Sequence, residues 1–179
     1  MEEKIREFLK EMQKEYGFFN EEEIENTPKR IVKFWDEWAR NREYEFTVFD
    51  NEENYDQMVI LKVPNFYSMC SHHLLPFFGS VAVGYIPKGK ICGISKLARL
   101  VRKYASRPQI QENMTQQILN GLKEKLDTDD VMVVIKARHL CMEIRGVKTE
   151  NPLMVTSAIS GVFRNLEPRQ EFMKLIEKE

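Results

Sequence analysis

Apolar residues recur every three or four positions early in the chain, then give way to alternating and continuous apolar runs. Ile5, Phe8, Leu9 and Met12 keep helical spacing, which predicts an amphipathic first helix. A second helix is expected from Thr27-Pro28, with Thr27 as its cap and Pro28 in its first turn. Its apolar stripe is Ile31, Phe34, Trp35 and Trp38. Asp50-Asn51 marks a turn, and branched residues over 58–63 and 81–86 read as strands. Lys88-Gly89-Lys90 is a turn after the second of these. Ser95 is expected to cap a helix carrying Leu97, Leu100, Val101 and Tyr104, and another helix covers 111–126. The run from Val131 to Ile135 is apolar and β-branched throughout, as in a central strand buried on both faces. Short strands are expected at 141–147 and 153–156, and a last helix from Pro168 with Phe172, Leu175 and Ile176.

Two helices, strands, two helices, strands and a helix make an α+β chain. No repeat, low-complexity stretch or Pro/Gly-rich linker divides its 179 residues, so one domain spanning 1–179 is expected, helical to about 45 and sheet-based from 46. The hydrophobic fraction of 42% and charged fraction of 31% are those of a soluble globular protein. A net charge of -1 and a glutamate-rich start argue against a nucleic-acid partner. No apolar run approaches a membrane span. The charged, amphipathic start is unlike a signal peptide, and three cysteines, an odd number, fit a reducing compartment. A cytoplasmic location follows as an expectation.

The candidate chemistry is concentrated. All three histidines and two of the three cysteines fall in Cys70-Ser71-His72-His73 and His139-Leu140-Cys141. Thiolate and imidazole are ligands zinc prefers, and three protein ligands leave a fourth position for water. Cys70 and His73 sit three apart beside Ser71 and Pro76, which suits a tight turn. His139 and Cys141, two apart at a strand end, share a face if the strand continues. A zinc ion on Cys70, one histidine of the pair and Cys141 is the reading, with the remaining histidines placed to move protons. A structural zinc completed by His72 or His139 satisfies the same spacing. Cys92 alone reads as a small buried hydrophobe. Lys96, Arg99 and Lys103 share a helix face behind Ser95, where the helix dipole suits a phosphate; spacing alone favours a solvated face.

At these residues the chain resembles the GTP cyclohydrolase I family. The matching segments are Thr27-Pro28-Lys29-Arg30, 66–79 (FYSMCSHHLLPFFG), 84–87 (GYIP), 93–99 (GISKLAR), 109–112 (QIQE), 139–142 (HLCM), 145–147 (RGV), Thr156-Ser157 and 161–164 (GVFR). They keep family order from about residue 20 onward. The resemblance implies the tunnelling fold (T-fold), an antiparallel sheet backed by helices, assembled as a homodecamer of two pentameric rings with sites between subunits. It implies conversion of GTP to 7,8-dihydroneopterin triphosphate and formate, with Zn2+ held by Cys70, His73 and Cys141. It makes His72 and His139 catalytic. Glu112 binds the guanine edge, with Gln111 contributing through its backbone. Ser95, Lys96, Arg99 and Arg145 hold the triphosphate, helped by Arg30 and Lys33. Water activated by the metal attacks C8 while His139 protonates N7, and a second hydrolysis frees formate before the pterin ring closes.

Three positions depart from the family pattern. Ser71 stands where the family has glutamate between the cysteine and the two histidines. Pro108 replaces an aliphatic residue just before Gln111 and Glu112. Ser160 replaces an apolar residue near the C-terminal motif. Ser71 motivates the alternative of a zinc- and nucleotide-binding relative with reduced or lost turnover. A nitrile-reducing enzyme of the same fold is disfavoured, since its cysteine-nucleophile motif is missing and the zinc constellation is intact.

Overall fold

The computed structural model describes residues 1–41 and 44–177. They fall into two compact units, Met1–Asn41 and Arg42–Glu179.

The first unit is a helix pair, α1 (Glu2–Tyr16) and α2 (Glu21–Arg40). Gly17, at φ 70°, ends α1 in the left-handed conformation and donates its N–H to the Gln13 carbonyl at 2.9 Å. Helix α2 begins well before Thr27. The Asn20 side chain accepts from Glu23 N at 2.9 Å, and the Glu23 carboxylate accepts from Asn20 N at 2.8 Å. This capping box outcompetes Thr27 as the start signal, so Pro28 lies inside the helix. Arg6 of α1 pairs with Glu25 of α2 at 3.2 Å. Phe34, Trp35 and Trp38 pack ring against ring with centroids 5.3–5.5 Å apart.

The second unit is built on a five-stranded sheet in the order β5-β2-β3-β6-β7. Its strands are β2 (Val59–Cys70), β3 (Pro76–Tyr85), β5 (Pro108–Gln109), β6 (Val131–His139) and β7 (Met154–Ile159). Strands β1 (Val48–Asp50) and β4 (Lys90–Cys92) form a separate antiparallel ribbon. The remaining helices are α3 (Ile94–Ala105), α4 (Gln111–Leu126), the one-turn α5 (Leu140–Glu143) and α6 (Leu166–Glu177), with a 3-10 turn at Gly161–Arg164. The unit is α+β as expected. The sheet is mixed rather than wholly antiparallel: β2, β3, β6 and β7 pair antiparallel, while two-residue β5 runs parallel to β2.

Strand alternation explains the two cores. Val81, Val83, Tyr85, Val131, Val133 and Ile135 point to one face, where Leu97, Leu100 and Val101 of α3 and Met114, Ile118 and Leu122 of α4 cover them. Ala82, Met132 and Val134 point the other way, onto Phe163 and Phe172. Both faces of β6 are therefore covered, which is why its sequence does not alternate. Strand β2 runs past its expected end because the register shifts between Val63 and Phe66, absorbing Pro64 as a bulge.

Three local expectations are corrected. Ser95 is not the cap of α3; Gly93 is, and Ser95 is already helical. Residues 141–147 do not form a strand. Ile144 N donates to the Leu140 carbonyl at 3.0 Å and Thr149 N to Met142 at 3.0 Å, so the backbone bonds close locally. Arg138 grips Glu143 through two contacts of 2.9 and 2.6 Å across that turn. Ile144 and Val147, which read as strand residues, are 60% and 72% exposed. Helix α6 starts at Leu166, with Pro168 in its first turn. Ser160, in the place of an apolar residue, donates to the Asp129 carbonyl at 2.5 Å and the Val131 carbonyl at 3.2 Å. The substitution is thus satisfied by backbone acceptors.

Candidate metal centre and active site

Three segments meet at one end of the sheet. Cys70 is the last residue of β2, and the turn to β3 is closed by Leu74 N donating to the Cys70 carbonyl at 2.8 Å and Cys70 N to Leu75 at 2.9 Å. Leu74 takes φ 54° to make that turn. It folds His73 back so that its Nδ1 lies 3.7 Å from Cys70 Sγ. Strand β6 ends at His139, paired with Phe77 of β3, and α5 then carries Cys141 toward the same place. The ligand atoms of Cys70, His73 and Cys141 all lie within 4.8 Å of one another. Cys141 gets there on a helical turn, not by strand alternation.

This donor set fits zinc. Two sulfurs and an imidazole nitrogen converge, Cys70 is buried, Cys141 is half-buried, and His73 is exposed on the open side. Burial pushes the Cys141 thiol up, and the Cys70 sulfur beside it adds to the rise while Arg145 opposes it. A cation bound here would have to displace the Cys141 proton that this environment favours. Arg145 Nη1 stands 3.1 Å from His73 Nε2.

Behind the cluster, His139 is buried and stacks on Phe77, with ring centroids 4.5 Å apart and planes 2° from parallel. Its Nε2 lies 2.8 Å from Gln111 Oε1. Burial holds this imidazole below its ordinary range, against the pull of the Glu112 carboxylate. His72 is exposed, its ring edge-on to His73 with centroids 6.1 Å apart. Glu112 and Gln111 open α4, where the helix dipole favours a carboxylate. Ser95, Lys96 and Arg99 occupy the first two turns of α3. Arg30 and Lys33 are exposed on α2 of the first unit. Ser95, Lys96 and Arg99 lie outside the group formed by Cys70, His73 and Cys141.

Strand β5 decides where α4 starts. Gln109 pairs with Cys70, and its carbonyl accepts from Ser71 N at 2.9 Å. Its buried side chain donates to the Tyr104 carbonyl at 2.7 Å and to Gln117 Oε1 at 2.9 Å. Gln117 Oε1 also accepts from Arg107 Nη2, and Ser68 Oγ donates to the Arg107 carbonyl at 3.2 Å. Sequence reasoning missed Gln109, Gln117, Arg107 and Phe77. Both Gln109 and Gln111 are buried, and no local pattern marks them as such.

The sequence model of the GTP cyclohydrolase I family matches residues 1–177. GTP cyclohydrolase 1 of Aquifex aeolicus is 47% identical over 156 residues, covering 87% of this chain and 85% of that one. The protein of the same name from Wolinella succinogenes is 52% identical over 154 residues, covering 83% and 82%. A crystal structure of the archaeosine synthase QueF-Like in the apo form is 24% identical, with a TM-score of 0.47, over 58% of this chain and 93% of that one; that likeness is too loose to bear on the site. The family match runs from the first helix to the last, through both halves of the Cys-His-Cys cluster, and by it this chain belongs to the GTP cyclohydrolase I family of enzymes.

Proposed function

We propose that this chain hydrolyses GTP at C8 of the purine, giving 7,8-dihydroneopterin triphosphate and formate, with zinc held by Cys70, His73 and Cys141. The observation that carries the reading is the convergence of those three donors within 4.8 Å in a chain of this family. Bound zinc supplies Lewis acidity and a water activated at neutral pH. The chain's own residues do the rest. Glu112 accepts from the guanine 2-amino group and N1–H together, a paired contact that selects guanine. Gln111 adds its backbone. His139 delivers a proton to N7, which makes the five-membered ring electrophilic. Burial holds this imidazole below its usual range while the Glu112 carboxylate pulls the other way, so the protonated ring is a stronger acid once formed. His72 assists the second hydrolysis, which frees formate; closure of the pterin ring then expels water. Ser95, Lys96, Arg99 and Arg145, with Arg30 and Lys33, hold the triphosphate, placing positive charge where a protein of net charge -1 would otherwise repel it.

The tunnelling fold and a homodecamer of two pentameric rings belong to the same reading. The edge position of β7 and the exposed Ile144, Val147, Leu153 and Val155 support burial against further copies. Among the described residues no helix is long and apolar enough to cross a membrane, and a cytoplasmic site of action is part of the proposal.

The test is direct. Zinc-loaded protein incubated with GTP and then oxidised should yield fluorescent neopterin and an equal amount of formate. If neither product forms while bound zinc is confirmed, the hydrolase reading is wrong.

A further inference from the structure

Gln111 opens α4, yet its side chain turns into the protein and is 1% exposed. Its carboxamide nitrogen lies 3.4 Å from the Ile135 carbonyl, 3.2 Å from the Met154 carbonyl and 3.1 Å from Thr156 Oγ1. Two of these partners are backbone carbonyls, which only accept. The third is held to the same role by its neighbours. Thr115 Oγ1 donates to the Gln111 carbonyl at 2.7 Å, so its proton is committed. It must therefore accept from Thr156 Oγ1, 2.7 Å away, and Thr156 has no proton left for Gln111. All three partners demand the NH2 group. Turning the amide over would set its oxygen against two carbonyl oxygens in a buried site, at the cost of several unmet donors and acceptors.

The orientation of the amide settles that of the imidazole. Gln111 Oε1 is an acceptor, so His139 Nε2, 2.8 Å away, must donate to it. The ring is also held flat against Phe77. We propose that Gln111 is a positioning residue whose side chain holds the His139 Nε2–H, so that Nδ1 is the nitrogen that takes up a proton and passes it on to substrate. The backbone contact to guanine and this inward side-chain role are compatible, since they use different atoms of Gln111. The functional half rests on the hydrolase reading above; the tautomer does not.

The experiment is magic-angle-spinning 15N spectroscopy of the zinc-loaded full chain labelled at histidine, with the His139 signals assigned by a His139→Asn variant. At about pH 8.5, above ordinary imidazole titration, a neutral ring must choose one nitrogen. The expected signature is a protonated Nε2 and a bare Nδ1. Thr156→Val should keep it, because two carbonyls still hold the amide. Gln111→Met, which keeps the bulk and removes the acceptor, should mix the two forms. It should also lower kcat roughly 10- to 100-fold, the range seen when partners that orient functional side chains are removed. KM for GTP should stay within about threefold. A wild-type His139 carrying its proton on Nδ1, or an unchanged signature in Gln111→Met, overturns the proposal. If Gln111→Met does not fold, the wild-type and Thr156→Val spectra decide. The expected signature in a protein that makes no neopterin would sink the hydrolase reading and leave this inference standing.

Discussion

Replacing Gln117 by leucine removes one oxygen on which two donors converge. Gln117 Oε1 accepts from Gln109 Nε2 at 2.9 Å and from Arg107. Gln109 is buried and would keep only its 2.7 Å bond to the Tyr104 carbonyl. A neutral hydrogen bond contributes about 1 kcal/mol, and one to a charged group about 1.5–3 kcal/mol. Arg107 is half-exposed and recovers water, so its share falls toward the low end. The expected destabilisation is about 2–3 kcal/mol, seen as a lower midpoint in guanidinium denaturation with an unchanged slope. The effect should reach the metal centre, because Gln109 also pairs with Cys70 and its carbonyl holds Ser71 N. Zinc should bind more weakly in Gln117→Leu, measured by competition with a chromogenic chelator. A cycle with Arg107→Met separates the two arms: the double variant should cost about 1 kcal/mol less than the sum of the singles, since the pair shares one acceptor. A loss below about 0.5 kcal/mol for Gln117→Leu, within the range of a neutral surface change, would refute the claim that this network buttresses the turn.

Cys141→Ser should reduce zinc below one per chain by emission spectroscopy while the far-ultraviolet circular dichroism persists, since β6 carries its own core; a full zinc complement would show that the ligand set is wrong. Glu112→Gln should cut kcat/KM for GTP by roughly 10- to 1,000-fold through the lost paired acceptor. The loss should be smaller with inosine triphosphate, which lacks the 2-amino group, and equal losses on both nucleotides would remove Glu112 from guanine recognition. Ser71→Glu restores the family's carboxylate between Cys70 and His72; Ser71 is exposed, so the variant should fold normally and raise kcat. An unchanged kcat would mean the charge is dispensable in this chain.

Some of this was readable from residue order alone. The apolar run of β6, the stripes of α3 and α4, and the turn joining Cys70 to His73 are local patterns, and each reports a face or a bend that a few neighbouring residues dictate. The metal donor set was legible because its residue types are rare in the chain and clustered within it. The Asn20 and Glu23 capping box that starts α2 is an equally local pattern, and it overrides the Thr27-Pro28 pair. The turn at 140–143 was misread because Ile144 and Val147 carry strand propensity yet stay exposed, so side-chain type and burial disagreed there.

Other features exist only in three dimensions. Gln111 meets His139 across 28 positions, Met154 across 43 and Thr156 across 45. Nothing in a local window distinguishes its amide from that of any exposed glutamine. The parallel pairing of two-residue β5 with β2 is too short to leave a periodic trace, yet it sets Gln109 beside Cys70 and thereby places the first residues of α4. Residue order alone was enough for the candidate metal donors, the central strand β6 and the helices α3 and α4, because those depend on side-chain chemistry and periodicity. The proposed proton position on His139 has no such local record, because it depends on how donors and acceptors distant in sequence are paired once water is excluded.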